Sequence, residues 1–350
     1  MAALISHIFS SSSLISLGLY HLICSTRNNL KSSPRDYIIK PYHPFPSSSP
    51  SASSNLKYLQ LYLLIVSLLI SCIHQTVNSL SPDPLLKGST PVHRFTSLQN
   101  SAVLFLFLIL IVSILISEST SLLPFPNDLF FAFAAGVFFL QYSVSSSSAS
   151  VQVSDLQAKC DAVSARISGF MSLVCVGICV NPRLFVADVA LGFGFCLQGL
   201  WALQTGLTLY VEGFIPEGCH RLLDVVSGVE GSTKCDLEES RLRAVAILDL
   251  VFVIHVLFVI VIVMVIYAVV AKTIGIRRFG SYEALPNLQS LDSNLNVQMK
   301  SISGVEHGNI GGQVLWLGNK FSCSLFQVTT DIVANSRRMI VRSSPEAWDE

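Results

Sequence analysis

Charge is scarce in this chain. Asp, Glu, Lys and Arg make up 13% of 350 residues, and 22 basic side chains cancel 22 acidic ones. So weak and balanced a field excludes the basic footprint of a nucleic-acid binder, and no nucleic-acid partner is expected. The nine cysteines include no Cys-x-x-Cys pair and no Cys/His spacing of a zinc finger, which excludes a structural zinc module and a disulfide-dense secreted scaffold. There is no H-E-x-x-H helix, nucleotide-binding loop, catalytic-triad signature or transporter repeat. The chain is therefore expected to be non-enzymatic and to carry no cofactor.

What is abundant is apolar surface. Hydrophobic residues make up 51% of the chain and mean hydropathy is +0.59, well above what a soluble core requires. Seven apolar runs are long enough to cross about 30 Å of hydrocarbon, near residues 2–24, 58–80, 98–117, 129–144, 163–180, 184–211 and 244–271. The fold expected is an all-α, seven-helix membrane bundle over residues 1–280, followed by a polar, largely disordered tail over 281–350. The first run has no basic flank or cleavage site of a signal peptide and is read as a retained span.

The loop after the first span holds Pro41, Pro44, Pro46 and Pro50 among many serines and reads as a linker without a fixed fold. It also carries Arg27, Lys31, Arg35, Lys40 and Lys57, while nothing basic precedes the span. The positive-inside rule places this loop in the cytosol, the N-terminus outside or in a lumen, and the C-terminus in the cytosol. Arg221, Lys234, Arg241 and Arg243 fall on the opposite side against that bias. Cys219 and Cys235 flank an acidic loop that this orientation puts outside, where a disulfide between them would stabilise the loop by roughly 3 kcal/mol.

Within residues 181–218, Gly192, Gly199, Gly206 and Gly213 recur every seven residues. Seven residues are nearly two helical turns, so the glycines make a bare ridge that lets another helix come close. Gln198, Thr205 and Glu212 each precede a glycine and form a polar stripe beside the ridge. In hydrocarbon such a stripe must face a partner or a cavity.

Ionisable residues near the spans are His21, His74, Glu118, Asp128, Asp188, Glu212, Asp249 and His255. Most lie within a turn or two of a helix end, where hydrated anchoring at the headgroups is the expected role. Asp249 and His255 lie deeper. Six residues apart, they are about 9 Å apart along the axis and on different faces, so each needs a partner from another span, with Gln198, Gln204, Thr205 and His21 as candidates. A metal site combining His21, Asp249, His255 and His220 is the alternative that would make the protein a membrane hydrolase. In the tail, Tyr282 and Leu285 match the tyrosine-based pattern read by sorting adaptors.

Three stretches carry a resemblance: residues 118–170, the sixth-span run CLQGLWALQTGLTLY, and the seventh span AVAILDLVFVIHVLFVIVIVMVIYAVVAK. With GLYHL at residues 18–22, they are similar to the plant branch of the transmembrane protein 45 family, domain-of-unknown-function family 716. The likeness runs over about residues 6–285 and implies a seven-span integral membrane protein. Animal members carry a His-containing stretch where this chain has residues 141–148, so no role for those histidines carries over.

These readings converge on an integral membrane protein of the endomembrane system or plasma membrane. Its bundle interior is expected to bind or conduct a small polar or lipid-like ligand through the sixth and seventh spans, with Gln198, Thr205, Asp249 and His255 meeting at one hydrated cavity. Membrane lipids and a sorting adaptor are the expected partners. A membrane scaffold that only recruits proteins is the third reading, and it tolerates substitution of those four residues.

Overall fold

The structure, a computed structural model, describes residues 2–32, 36–44, 57–80, 92–120, 124–151, 154–224 and 229–274. Seven α-helices account for most of them: α1 (Ala2–Lys31), α2 (Leu59–Leu80), α3 (Val92–Ser119), α4 (Asn127–Val151), α5 (Asp155–Val180), α6 (Phe185–Tyr210) and α7 (Glu238–Ile274). All seven are long and apolar enough to cross a membrane, and the protein is a polytopic membrane protein. A 3-10 turn (Glu212–Phe214) and an antiparallel hairpin, β1 (Cys219–Asp224) and β2 (Val229–Cys235), join α6 to α7. The polar tail, and Tyr282 and Leu285 with it, lies outside the described residues.

The helices overrun the apolar windows that announce them. Hydropathy ends where serine and charge begin, but backbone hydrogen bonding continues. Thus α4 extends through residues 145–151, and two of its serines, Ser145 and Ser148, are buried rather than solvated. The helix α5 starts two turns before its apolar run, where the Ser154 side chain accepts a hydrogen bond from the Gln157 amide and caps it.

The outer face is apolar. Leu257, Phe258, Val261, Met264 and Val265 of α7 are exposed, as are Leu63, Val66 and Ile70 of α2. In water such a surface would be an aggregation hazard; in a bilayer it is the lipid contact.

Inside, α1 and α6 pack closely and antiparallel along the glycine ridge. A Cβ on Gly192 would lie 2.8 Å from Leu22, one on Gly199 2.7 Å from Ile15, and one on Gly206 2.7 Å from His7. Gly18 answers from α1, where a Cβ would meet the Gly192 carbonyl oxygen at 2.9 Å. The fourth rung behaves otherwise. Gly213 sits in the 3-10 turn with nothing within 4 Å of its Cβ position, because α6 ends at Tyr210 before the ladder is complete.

The loop after α1 departs from the linker expectation over residues 36–44. Tyr37, Ile39, Tyr42 and His43 are all buried. The Ile39 amide donates to the Pro182 carbonyl at 2.9 Å, and the Tyr20 hydroxyl donates to the His43 carbonyl at 3.1 Å. Two tyrosines and an isoleucine supply the apolar area that a Ser/Pro composition dilutes on average, and they fold this segment back over one end of the bundle.

Cys219 and Cys235 face each other in the hairpin register and are joined by a disulfide, S–S 2.00 Å. Ser154, at the turn between α4 and α5, donates to the Thr233 carbonyl at 2.8 Å and ties the hairpin to that end. Gly218, at the hairpin entry, has φ +82°, a left-handed conformation that an L side chain adopts only under strain.

Candidate functional site

Among the described residues, two cavities inside the bundle bear on function. The larger, about 390 Å³, is polar and lined by six helices, including Ser6 and His7 of α1, His74 of α2, Asn100 of α3, Gln141 of α4, Ser164 of α5, and Gln198 and Thr205 of α6. The second, about 290 Å³, is apolar and bounded by Leu61, Phe107, Phe131, Phe138, Met171 and Phe195 among others. Leu14, Leu104, Gln141 and Gln198 line both, so the two spaces meet at a shared wall.

Gln198 is the polar centre of that wall. Its amide Nε2 donates to Ser164 Oγ at 2.7 Å, which fixes the side chain across α5 and α6. Its Oε1 is buried with no hydrogen-bond partner among the described residues. A buried amide oxygen left without a donor costs about 1–3 kcal/mol, so the position favours a ligand that donates. Thr205 lines the polar cavity nearly two turns further on and donates back to the Trp201 carbonyl at 2.9 Å. On the far wall, Ser6 Oγ lies 3.3 Å from His74 Nδ1, holding α1 against α2.

The seventh helix does not line either cavity. Asp249 pairs instead with Lys159 Nζ at 2.6 Å and its side chain is half exposed. Lys159 lies in the first turns of α5, two turns of which precede the apolar run over 163–180 that announces the span. His255 packs edge-on against Trp201, ring centroids 6.4 Å apart. Trp201 in turn donates Nε1–H to the Cys160 carbonyl at 2.9 Å. Convergence of Gln198, Thr205, Asp249 and His255 on one cavity is thus corrected to Gln198 and Thr205 alone. Glu212 lies exposed in the 3-10 turn beyond the cavity, and His220 lies in the hairpin, 3.3 Å from Asp236. The metal set of His21, Asp249, His255 and His220 is accordingly dispersed: His21 lies on α1, Asp249 and His255 on α7, and His220 in the hairpin.

At the end of the bundle nearer the loop after α1 is a second polar cluster. Asp188, in the first turn of α6, is 1% exposed. Its Oδ1 accepts from His21 Nε2 at 2.8 Å, and its Oδ2 accepts from both the Ser25 and Tyr37 hydroxyls. Position in the first helical turn adds the favourable end of the helix dipole. The helical spacing of His21 and Ser25, one turn apart on α1, delivers two of the donors to the same carboxylate. Burial, and then the Asp188 charge, raise the Tyr37 phenol far above its ordinary range, so it stays protonated and donates.

His43 completes the cluster, its ring 5.4 Å from that of His21. Burial and then the neighbouring His21 pull its imidazole down to about 4, so it is neutral at physiological pH. Among the described residues, His21, His43 and Asp188 are a set whose ligand atoms all lie within 4.8 Å of one another. Sequence reasoning placed Asp188 at a helix end and discounted it as a headgroup anchor; the folded-back loop buries that end. His43 and Tyr37 carried no periodic signal at all.

Residues 127–268 match the model of a family of unknown function, DUF716. The chain carries a DUF716 region. A comparison with curated proteins gives no match. The DUF716 region covers nearly all of α4 through α7, so it supplies Gln141, Ser164, Asp188, Gln198 and Thr205. His7, His21, His43 and His74 lie before it. Both polar clusters are therefore assembled across the boundary of the DUF716 region, with the glycine ridge of α6 inside it and the helix that packs on the ridge outside.

Proposed function

We propose that the bundle binds one amphipathic, lipid-like molecule, with its polar end among the Ser, His and Gln side chains of the larger cavity and its apolar part among the leucines and phenylalanines of the smaller. The observation that carries this reading is the shared wall at Gln198, whose unpartnered Oε1 stands where the polar and apolar spaces meet. The volumes are those of ordinary small-molecule sites. A purely polar solute would leave the apolar space empty, and a purely apolar one would leave Gln198 and the histidines unsatisfied. The role is binding rather than catalysis, within a membrane whose lipids are its nearest partners.

The test is native mass spectrometry and lipid extraction of the purified full-length protein, repeated on Gln198→Leu. Wild type is expected to retain an amphiphile that the variant loses while keeping its thermal unfolding profile. Equal retention by both would remove the reading, and so would a wild-type protein that carries no amphiphile and takes up none of a labelled lysophospholipid panel. A scaffold role predicts that the variant keeps every cellular phenotype of the wild type.

We also infer the orientation. A disulfide persists in an oxidising compartment, so the Cys219–Cys235 hairpin belongs on the lumenal or outer side. With seven crossings, the N-terminus lies on that side and the C-terminus in the cytosol, in accord with the basic residues 27–57. Two contacts support consistent sides: Ser154 with Thr233 at one end, and Ile39 with Pro182 at the other.

A further inference from the structure

The cluster at Asp188 contains more than hydrogen bonding accounts for. Its carboxylate is satisfied on both oxygens, by His21 on one and by Ser25 and Tyr37 on the other. Its third member is not. His43 is 8% exposed, and its Nε2 is buried without a hydrogen-bond partner among the described residues. A buried imidazole nitrogen with no partner, within reach of a second imidazole and a carboxylate, belongs to a donor set that suits a divalent transition metal.

We propose that His21, His43 and Asp188 bind one divalent metal ion of the zinc class. The three ligands come from α1, the folded-back loop and α6, so the ion would pin that loop to the helix pair that the glycine ridge brings together. Two imidazoles and one carboxylate satisfy the nitrogen and oxygen preference of zinc, and the carboxylate partly offsets its charge. Ser25 and Tyr37 hold the other carboxylate oxygen and act as the outer support that orients a metal ligand. Ligand atoms in a tetrahedral zinc site with bonds of about 2.0 Å are about 3.3 Å apart. The present set spans no more than 4.8 Å, with His21 Nε2 and Asp188 Oδ1 at 2.8 Å, so an entering ion displaces the proton of that hydrogen bond, the pair opens slightly and the His43 side closes in. His21 also borders the apolar cavity. Gln198 is not among the three ligands, so metal binding is read out separately from the ligand proposed above.

The experiment uses the full-length protein, purified in detergent through an affinity tag free of histidine. It is loaded with Zn²⁺ or Co²⁺, freed of excess and analysed for bound metal, with the visible Co²⁺ spectrum as a second readout. Wild type and His220→Ala should each hold about one equivalent per chain. His43→Ala, His21→Ala and Asp188→Asn should lose it, and Tyr37→Phe should weaken binding roughly tenfold, as loss of an outer-shell partner does. His43 lies outside the helices, so His43→Ala decides the matter even where the helix variants fail to fold; zinc should raise the melting temperature of wild type and not of this variant. A wild-type protein that holds no metal after loading overturns the proposal, as does undiminished metal in folded His43→Ala.

Discussion

Alanine at Gly199 should destabilise the bundle, whereas alanine at Gly136 should not. Both glycines lie inside helices, α6 and α4, where replacing glycine by alanine gains about 1 kcal/mol of helix propensity in water. They differ in what surrounds them. At Gly136 the new methyl meets nothing within 4 Å. At Gly199 it would lie 2.7 Å from Ile15 Cγ1, 3.1 Å from Leu14 Cβ and 3.0 Å from the Ile15 backbone nitrogen. A side-chain tip can rotate aside, but a backbone nitrogen inside α1 moves only with its helix. Overpacking of this kind costs about 1–3 kcal/mol, so the propensity gain is cancelled or exceeded, and Gly199→Val, with a larger branched side chain, exceeds it clearly.

The assay is thermal unfolding in detergent, followed by intrinsic fluorescence and by size-exclusion recovery. At about 2–4 °C per kcal/mol, Gly136→Ala should melt at or slightly above wild type, Gly199→Ala at or a few degrees below, and Gly199→Val lowest. The same order should appear at Gly206, where the neighbour is His7 Cβ at 2.7 Å. Gly199→Val melting at or above wild type would refute the argument, because it would mean that α1 and α6 do not approach through the ridge.

Three further outcomes follow from particular contacts. Lys159→Met should cost about 2–3 kcal/mol by leaving Asp249 unpaired at membrane depth, and adding Asp249→Leu should recover most of that loss, measured as a double-mutant cycle of unfolding free energies. Replacing Cys219 and Cys235 by serine should destabilise the hairpin by roughly 3 kcal/mol, seen as faster proteolysis there and as insensitivity of the variant's melting to reductant. A glycosylation acceptor inserted in the hairpin loop at residues 225–228 should be modified in cells, and one inserted at 45–56 should not; the reverse pattern would invert the orientation.

Which parts of this arrangement a reader of the sequence can see depends on whether the physics is local. The glycine ridge is legible because close approach demands the absence of a side chain, and a seven-residue spacing on a helix states that absence on one face. Gln198 and Thr205 are legible as polar groups at membrane depth for the same periodic reason. The seven crossings are legible because hydrocarbon thickness is a property of the solvent, not of the partner. Asp249 shows where locality ends. Its partner, Lys159, stands 90 residues away on a helix whose first turns are too polar to register as a span. The Asp188 cluster is less legible still. An aspartate in the first turn of an apolar helix looks hydrated unless one knows that a Ser/Pro-rich loop returns to cover it, and that return rests on Tyr37, Ile39, Tyr42 and His43 burying together. Each of those residues is ordinary alone. The carboxylate, the two imidazoles and the two hydroxyls acquire a chemical identity only when residues 21, 25, 37, 43 and 188 are brought to one point. That is why a motif search over contiguous residues finds no metal site in this chain, although the donors of one are present.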